Sequence, residues 1–332
     1  MSVARSSGPL VSLIVLCYNH ARFARQCLES VGAQTYETTE LIIMDDASTD
    51  DSVRIIREWI AERGLRGRVI AHEKNVGVCA TLNEALSHAT GKYVSMVSTD
   101  DVWEADKLER QVPLMEAAPD DVAVLYSDAW RMDETGARLA GLFIEAHRHF
   151  EKMPSGMIFP VMWEGNFIPA MSTLIRRSCL EAVGNYDERL TYEDWDMWLR
   201  LSEVYSFLYS PFPSATYRLV SNSLVHAQRD RDNARSHYSA CLLYEKWLEK
   251  LRPDRIRYRM AVIRVSYHAE QLYRLGHPRA VAMLALVRRH ARGFRKLGRP
   301  RAYLLAACAA MHWPYRVFAA MDATVLKRLP DG

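Results

Sequence analysis

Three pairs of neighbouring acids stand out in this chain: Asp45-Asp46, Asp100-Asp101 and Glu193-Asp194. The first two close short apolar runs, Glu40–Met44 and Tyr93–Val97, and the third opens an amphipathic stretch containing Trp195, Trp198 and Leu199. Adjacent carboxylates suit two kinds of chemistry. They offer hard oxygen ligands to a divalent cation that also holds phosphates, and they can take a proton from an attacking hydroxyl. Any one pair is equally the residue set of a solvated turn or a helix cap, with Asp101 capping a helix that starts near Glu104. Their joint placement at chain reversals points to one site.

The elements that would carry these acids follow from periodicity. Leu10–Leu16 reads as a fully buried strand, Cys17–His20 as the turn after it, and Ala21–Ala33 as a helix burying Phe23, Cys27, Leu28 and Val31. Glu40–Met44 is a second strand, Ser52–Arg63 a helix, Arg68–Ala71 a third strand, Val78–Ala89 a helix and Tyr93–Val97 a fourth strand. Strands alternating with helices of these lengths predict an α/β fold: a doubly wound, mainly parallel sheet flanked by helices, with right-handed crossovers. In such a sheet ligands bind beyond the carboxyl ends of the strands, where Asp46 and Asp100 fall.

Beyond Lys107 a helix to about Ala117 leads to a strand Val122–Asp128, and 131–160 reads as an irregular surface hairpin and loop. Ser172–Ile175 returns to the sheet, and Ser178–Val183 is a short helix stopped by Gly184. From about Arg229 the pattern is all-helical, with Cys241, Tyr244, Leu248 and Leu251 on one stripe and breaks at Gly276-His277-Pro278 and Gly298-Arg299-Pro300. The expected organisation is therefore residues 1–228 as the sheet domain and 229–332 as a basic helical C-terminal region.

Charge sharpens that division. Residues 229–332 carry 22 Lys/Arg against 8 Asp/Glu, whereas the remainder carries 21 against 32, hidden in a net charge of +3. The six cysteines are scattered with no Cys-x-x-Cys pair, which excludes a zinc knuckle and suits a reducing cytoplasm. The Leu10–Cys17 run lacks a small-residue cleavage pattern and reads as a strand, not a leader. No run approaches the roughly 20 apolar residues of a membrane span. No recognised nucleic-acid motif accompanies the basic charge.

The chain resembles the family 2 inverting glycosyltransferases of bacterial type, which have the GT-A fold. The resemblance covers about residues 8–222. It rests on Pro9–Val15 with Tyr18-Asn19, Gln34-Thr35-Tyr36, Glu40–Asp50, Asn75-Val76-Gly77, Asn83 and Ala85, Gly91-Lys92-Tyr93, Thr99–Trp103 and Glu193–Arg200. It implies a nucleotide-diphosphate sugar as donor and a hydroxyl of a saccharide or lipid-linked acceptor, in surface polysaccharide or lipid-linked glycan synthesis. Tyr18 would stack on the nucleotide base and Asp46 would accept a hydrogen bond from base or ribose. Asn75 and Gly77 would line the same end. Asp100 would hold Mg2+ or Mn2+ against the diphosphate, and Asp194 would be the general base, kept ionised by the helix dipole. Ser98 stands among the donor-binding residues where the family more often has a first acid, which weakens the metal seat. Arg218 would approach the diphosphate, although Val220 stands where the family usually has His.

Two acceptor-side residues are expected, Trp163 as an aromatic platform and Glu193 beside the base. Arg288, Arg289, Arg292, Arg295, Lys296, Arg299 and Arg301, followed by apolar 303–311, Trp313 and Tyr315, read as a solvated helix face, a membrane-surface anchor or a subunit interface. The anchor reading places the protein in the cytoplasm, peripheral on the inner face of the cell membrane. Two competing functions remain open at this point: a nucleotide-sugar-binding protein with weakened catalysis, and a nucleotidyltransferase. The second would favour a Gly-rich loop with a basic residue after the first strand, which Cys17–His20 does not supply.

Overall fold

The computed structural model describes residues 8–191, 193–220 and 232–291, together with 305, 307–311, 314–316 and 319. The chain divides into two compact units, Met1–Glu188 with Glu193–Ser221, and Arg189–Tyr192 with Asn222–Gly332.

The first unit is built on one eight-stranded sheet. Its strands are β1 (Val11–Cys17), β2 (Thr39–Asp45), β3 (Gly67–Ala71), β4 (Tyr93–Ser98), β5 (Val102–Trp103), β6 (Val122–Met132), β7 (Leu174–Arg176) and β8 (Ser206–Arg218), in the order β3-β2-β1-β4-β7-β6-β8-β5. Helices α1 (Ala21–Gly32), α2 (Ser52–Arg63) and α3 (Val78–His88) connect β1 through β4, whose pairings are all parallel. β1 is paired on both sides and its Val11, Ile14 and Val15 are fully buried, as a strand with no polar face requires. Ligand crevices form where the strand order reverses, here between β1 and β4.

The other half is mixed. β7 runs antiparallel to both β4 and β6, β8 is parallel to β6, and β5 is antiparallel to β8. Around it lie α4 (Lys107–Ala117), α5 (Phe143–His147), α6 (Phe159–Glu164), a 3-10 turn at Ala170–Ser172, α7 (Arg177–Val183) and α8 (Glu193–Val204). Three strands depart from the sequence expectation, among them the short β5, which the sequence does not predict. β6 runs on past Asp128 to Met132, and β8, the longest strand, was not expected at all. β8 contains Pro211 and Pro213, which lack the N–H a ladder uses. The structure accommodates them in a bulge: Ser210 pairs with Ser127 and Ala215 with Ala129, so that four residues of β8 stand opposite Asp128 alone.

Two details of β4 fix where it ends. A Cβ on the preceding Gly91 would lie 2.7 Å from the Ser12 nitrogen and 2.8 Å from the Leu10 oxygen, so only glycine lets the strand enter beside β1. Ser95, a polar interruption in an apolar run, donates to the Thr173 carbonyl (2.7 Å) and accepts from Lys107 Nζ (2.8 Å). Lys107 is fully buried and also donates to Gln111 Oε1 and Thr173 O, which satisfies its three hydrogens.

The second unit contains α9 (Ala234–Leu248), α10 (Arg255–Arg274) and α11 (Ala280–Ala291). Asn233 and Asp254 cap the first two helices with their side chains. Gly276 sits at φ 67° in the break after α10, as the sequence predicts, and the Gly298 break lies outside the described residues. Of the basic-apolar segment, Arg288 and Arg289 are exposed on α11, while Arg292, Arg295, Lys296, Arg299, Arg301 and Trp313 lie outside the described residues. Leu305, Cys308 and Ala309 are buried, and Tyr315 donates to Glu270. Ala307, Ala310 and Met311 are exposed. Among the described residues no helix is long and apolar enough to cross one.

Candidate active site

The carboxyl ends of β1, β2 and β4 lie side by side. Cys17 is in register with Asp45, and Leu16 with Ser98. The Asp46 amide donates to the Cys17 carbonyl and the Thr99 amide to the Leu16 carbonyl, both at 2.9 Å. Asp46 and Asp100 therefore leave the sheet on either side of β1, about 10 Å apart by the spacing of two strands.

The loops after β1 and β2 are stitched together. Asn19 N donates to Ser48 Oγ (2.8 Å), Thr49 N to Asn19 Oδ1 (2.8 Å), Ala21 N to Asp50 Oδ2 (2.9 Å) and His20 N to Ser52 Oγ (3.0 Å). Asp45 closes the same loop by accepting from Ser48 N and Oγ. Among the described residues only Asn19 and Ala47 are non-glycine residues with positive φ, 55° and 62°. For Ala47 that conformation costs about 1–2 kcal/mol, and the stitching holds it. Tyr18 is thrown outward, 45 % exposed, with its ring open to stacking.

Asp46 is 5 % exposed. Its Oδ1 accepts from His72 Nδ1 (2.9 Å) and the Val76 amide (2.8 Å), and its Oδ2 from the Gly77 amide (2.9 Å). The Asn75 side chain donates to the Asp46 carbonyl at 3.2 Å. Asn75 and Gly77 thus tie their loop to Asp46. Gly77 has φ 91° with open space where a Cβ would point, so the requirement for glycine is one of backbone alone. Gly77→Ala is expected to cost about 1–3 kcal/mol, read as a melting point a few degrees lower together with weaker nucleoside diphosphate binding. Unchanged values of both would remove Gly77 from this account.

The turn after β4 is shaped by acids with different fates. Asp101 is 6 % exposed and accepts the Arg218 backbone N–H at 2.9 Å. Burial, and secondarily the Asp100 charge, push its carboxyl well above the usual range. Asp101 caps no helix, because β5 intervenes and α4 begins at Lys107 after Asp106. The Arg218 guanidinium donates to Asp100 O (2.8 Å), Gln26 Oε1 (2.6 Å) and Asp133 O (3.3 Å), and lies 4.6 Å over the Phe23 ring. At 2 % exposure it holds the turn from below, in place of the direct diphosphate contact its sequence position implied.

Asp100 Oδ1 is the exception. It is buried with no hydrogen-bond donor, and His20 Nδ1 lies 3.8 Å away, itself 3.1 Å from Thr99 Oγ1. Among the described residues no group of three His, Cys, Asp or Glu side chains could hold a metal ion alone. One carboxylate oxygen without a donor nevertheless fits Mg2+ or Mn2+, which protein sites commonly hold through one or two carboxylates with substrate phosphates and water completing the shell.

The third acidic pair lies at the start of α8, both side chains half-buried. Asp194 Oδ2 accepts from Asn166 Nδ2 (2.7 Å) and Oδ1 from the Trp195 amide (2.6 Å). Burial raises both carboxyls, and the Asp194 charge raises Glu193 further. This reverses the expected direction for Asp194: desolvation outweighs the helix dipole. A raised carboxyl is the better base near neutral pH.

The start of α8 lies near α3 and β4. Cys79, two residues after Gly77, is pushed up to about 12 by burial and by surrounding carboxylates, Glu193 first among them. Asn83 on α3 holds Tyr186 through paired contacts, Tyr186 N to Asn83 Oδ1 (2.8 Å) and Asn83 Nδ2 to Tyr186 O (3.0 Å). Tyr186 feels the Glu193 and Asp194 charges and points its hydroxyl at Met96 Sδ, on the face of β4 that also carries Ser98.

Trp163 is a correction. It is fully buried on α6, near-parallel to the Phe159 ring at 6.1 Å, and offers no face to an acceptor. The polar group its segment supplies is Asn166, three residues on. His72 and Asn166 are the residues that sequence reasoning missed.

Comparison with known proteins agrees with this architecture. The family model described as Glycosyl transferase family 2 matches residues 12–184. EpsE of Bacillus subtilis (strain 168), which carries a glycosyltransferase name, is 32% identical over 243 residues, covering 71% of this chain and 83% of its own. The uncharacterized glycosyltransferase RP339 of Rickettsia prowazekii is 26% identical over 230 residues, covering 68% and 67%. Among solved structures, the mannosyltransferase PcManGT from Pyrobaculum calidifontis, in complex with GDP-Man and Mn2+, aligns with a TM-score of 0.55 at 18% identity over 96% of this chain and 85% of that one. Residues 1–349 of TarS from S. aureus in complex with UDP-GlcNAc align with a TM-score of 0.54 at 15% identity, over 91% and 92%. At these identities the structural likeness is one of fold, the GT-A fold. With half of its length matched by the family model and a relative at 32% identity, the chain belongs to glycosyl transferase family 2.

Proposed function

We propose that this glycosyltransferase moves a sugar from a nucleotide-diphosphate donor to a hydroxyl acceptor with inversion at the anomeric carbon. The observation that carries the reading is Asp100 Oδ1. The Asp46 and Asp101 carboxylates are engaged by protein donors, whereas this oxygen has none. Tyr18 would stack on the base, Asp46 would take a hydrogen bond on its less occupied Oδ2, and Ser98 and Asp100 would face the diphosphate. Asp100 would hold Mg2+ or Mn2+, which when bound neutralises charge on the departing diphosphate.

Asp194 is the base in this scheme. It takes the proton of the acceptor hydroxyl while that oxygen forms its bond to the anomeric carbon. The bond from that carbon to the diphosphate oxygen breaks on the opposite side, and the electron pair leaves with the nucleoside diphosphate. Asn166 fixes the Asp194 oxygen that receives the proton, and Glu193 lies beside the acceptor. Fold neighbours bound to GDP-Man and UDP-GlcNAc support a nucleotide-sugar donor without choosing its base. A surface polysaccharide or lipid-linked glycan is the acceptor class we assign, with the exposed Arg288 and Arg289 meeting a membrane surface.

A thermal-shift screen of nucleotide sugars, with and without Mn2+, tests the donor side. One base and one sugar should stabilise the protein, and Mn2+ should increase the shift. Stabilisation indifferent to Mn2+ would remove the metal from the scheme, and none from any nucleotide sugar would overturn it. Donor binding without transfer to any acceptor would favour the weakened-catalysis alternative, whose sequence basis is Ser98.

A further inference from the structure

His72 directly follows β3 and is anchored to β2 by its amide, which donates to the Asp45 carbonyl at 2.9 Å. Its ring lies between carboxylates from two other elements. Nδ1 is 2.9 Å from Asp46 Oδ1, at the end of β2, and Nε2 is 3.0 Å from Glu84 Oε2, on α3. The side chain is 11% exposed, Asp46 8% and Glu84 44%. A neutral imidazole has one N–H and one lone pair, so it would turn the lone pair toward one of the two carboxylates. Only the doubly protonated ring donates to both.

We propose that His72 is the positioning residue of the nucleotide end, an imidazolium strut between Glu84 and Asp46 that fixes the carboxylate receiving the base of the donor. The inference rests on the nucleotide-sugar reading above. With His72 and the Val76 amide on Oδ1 and the Gly77 amide on Oδ2, Asp46 is held from three directions and retains acceptor capacity on Oδ2. If His72 loses its proton, one of the two carboxylates faces a lone pair, and the ring no longer braces Asp46 against Glu84.

The sign of the pH effect follows. Burial alone would lower the His72 pKa, but the hydrogen bonds to Asp46 and then Glu84 outweigh it and raise the group above its ordinary 6.5. The cation is therefore complete below that ordinary value and is lost as pH climbs through the raised one. The charged groups around it are Asp46 and Asp45 from β2, the latter engaged by Ser48, Glu84 from α3, and the exposed chain neighbours Glu73 and Lys74. Nucleotide affinity should fall on the alkaline side.

The test is calorimetric titration of the full chain with UDP and GDP at fixed Mg2+, from about pH 5.5 to about pH 9.5, alongside 15N NMR of the histidine rings. The wild type is expected to bind its preferred nucleotide about tenfold more weakly at the alkaline end, with the His72 ring doubly protonated near neutral pH. His72→Gln should flatten that profile at the weaker level. Glu84→Gln, which removes one negative charge and keeps His72, should move the alkaline limb to lower pH. A neutral His72 ring at pH 6.5, or the same alkaline limb in wild type and His72→Gln, overturns the proposal and leaves the transferase reading standing. Absence of nucleotide binding in the wild type at every pH overturns both.

Discussion

Asp194→Asn should lower turnover by about a thousandfold, within the two to four powers of ten that a positioned base contributes, while donor affinity stays within about twofold. Asparagine keeps the shape and its one carbonyl oxygen can accept from either Asn166 or the Trp195 amide, but it takes no proton. The two effects separate because the proposed donor seat is at the ends of β1, β2 and β4, whereas Asp194 stands at the start of α8. Stopped assays of sugar transfer and calorimetry with the nucleoside diphosphate measure them independently. The pH profile carries a second signature. Since burial raises the acidic pair, and the base works deprotonated, turnover should rise with pH along an acid limb above the ordinary carboxylate range. An Asp194→Asn enzyme with wild-type turnover would end the assignment.

Arg218→Ala should be the most destabilising single change at this end of the sheet. It removes hydrogen bonds to Asp100 O, Gln26 Oε1 and Asp133 O and takes away the guanidinium charge that acts on Asp101 and Asp100. Loss of one member of a buried charged network costs about 3–5 kcal/mol, and for a unit of this size the melting temperature should drop by on the order of 10 °C. Metal-dependent nucleotide binding should weaken along with stability, because the Asp100 turn loses its support. A variant with wild-type melting behaviour and weakened nucleotide affinity would instead mean that Arg218 touches the diphosphate itself.

The nucleotide half was legible in the sequence because each of its signals is local. β1, β2 and β4 are apolar runs closed by polar turns, and α1 to α3 repeat their apolar residues at helical spacing. The mixed half was not, for reasons that are equally physical. Two prolines disguise β8, since a four-residue bulge opposite Asp128 leaves no trace in periodicity. Trp163 and Arg218 carry residue types that suit ligand contact, and only burial distinguishes a core indole or an internal strut from an exposed one. His72 acquires its meaning from Asp46 and Glu84, 26 and 12 residues away, and Asn166 from Asp194, 28 away. Asp194 is a candidate by type and position while its electrostatics run the other way, because local reasoning counts the helix dipole and cannot count the protein that covers the group.

The reach of Arg218 back to the Asp100 carbonyl spans 118 residues. During synthesis strands β1 to β4 leave the ribosome long before β8. The seat at Asp100 gains its brace only when the last strand of the sheet docks. A nascent or clipped chain ending before Arg218 would carry the Tyr18 and Asp46 end without a rigid phosphate end, so competence to transfer would itself report that the sheet had been completed.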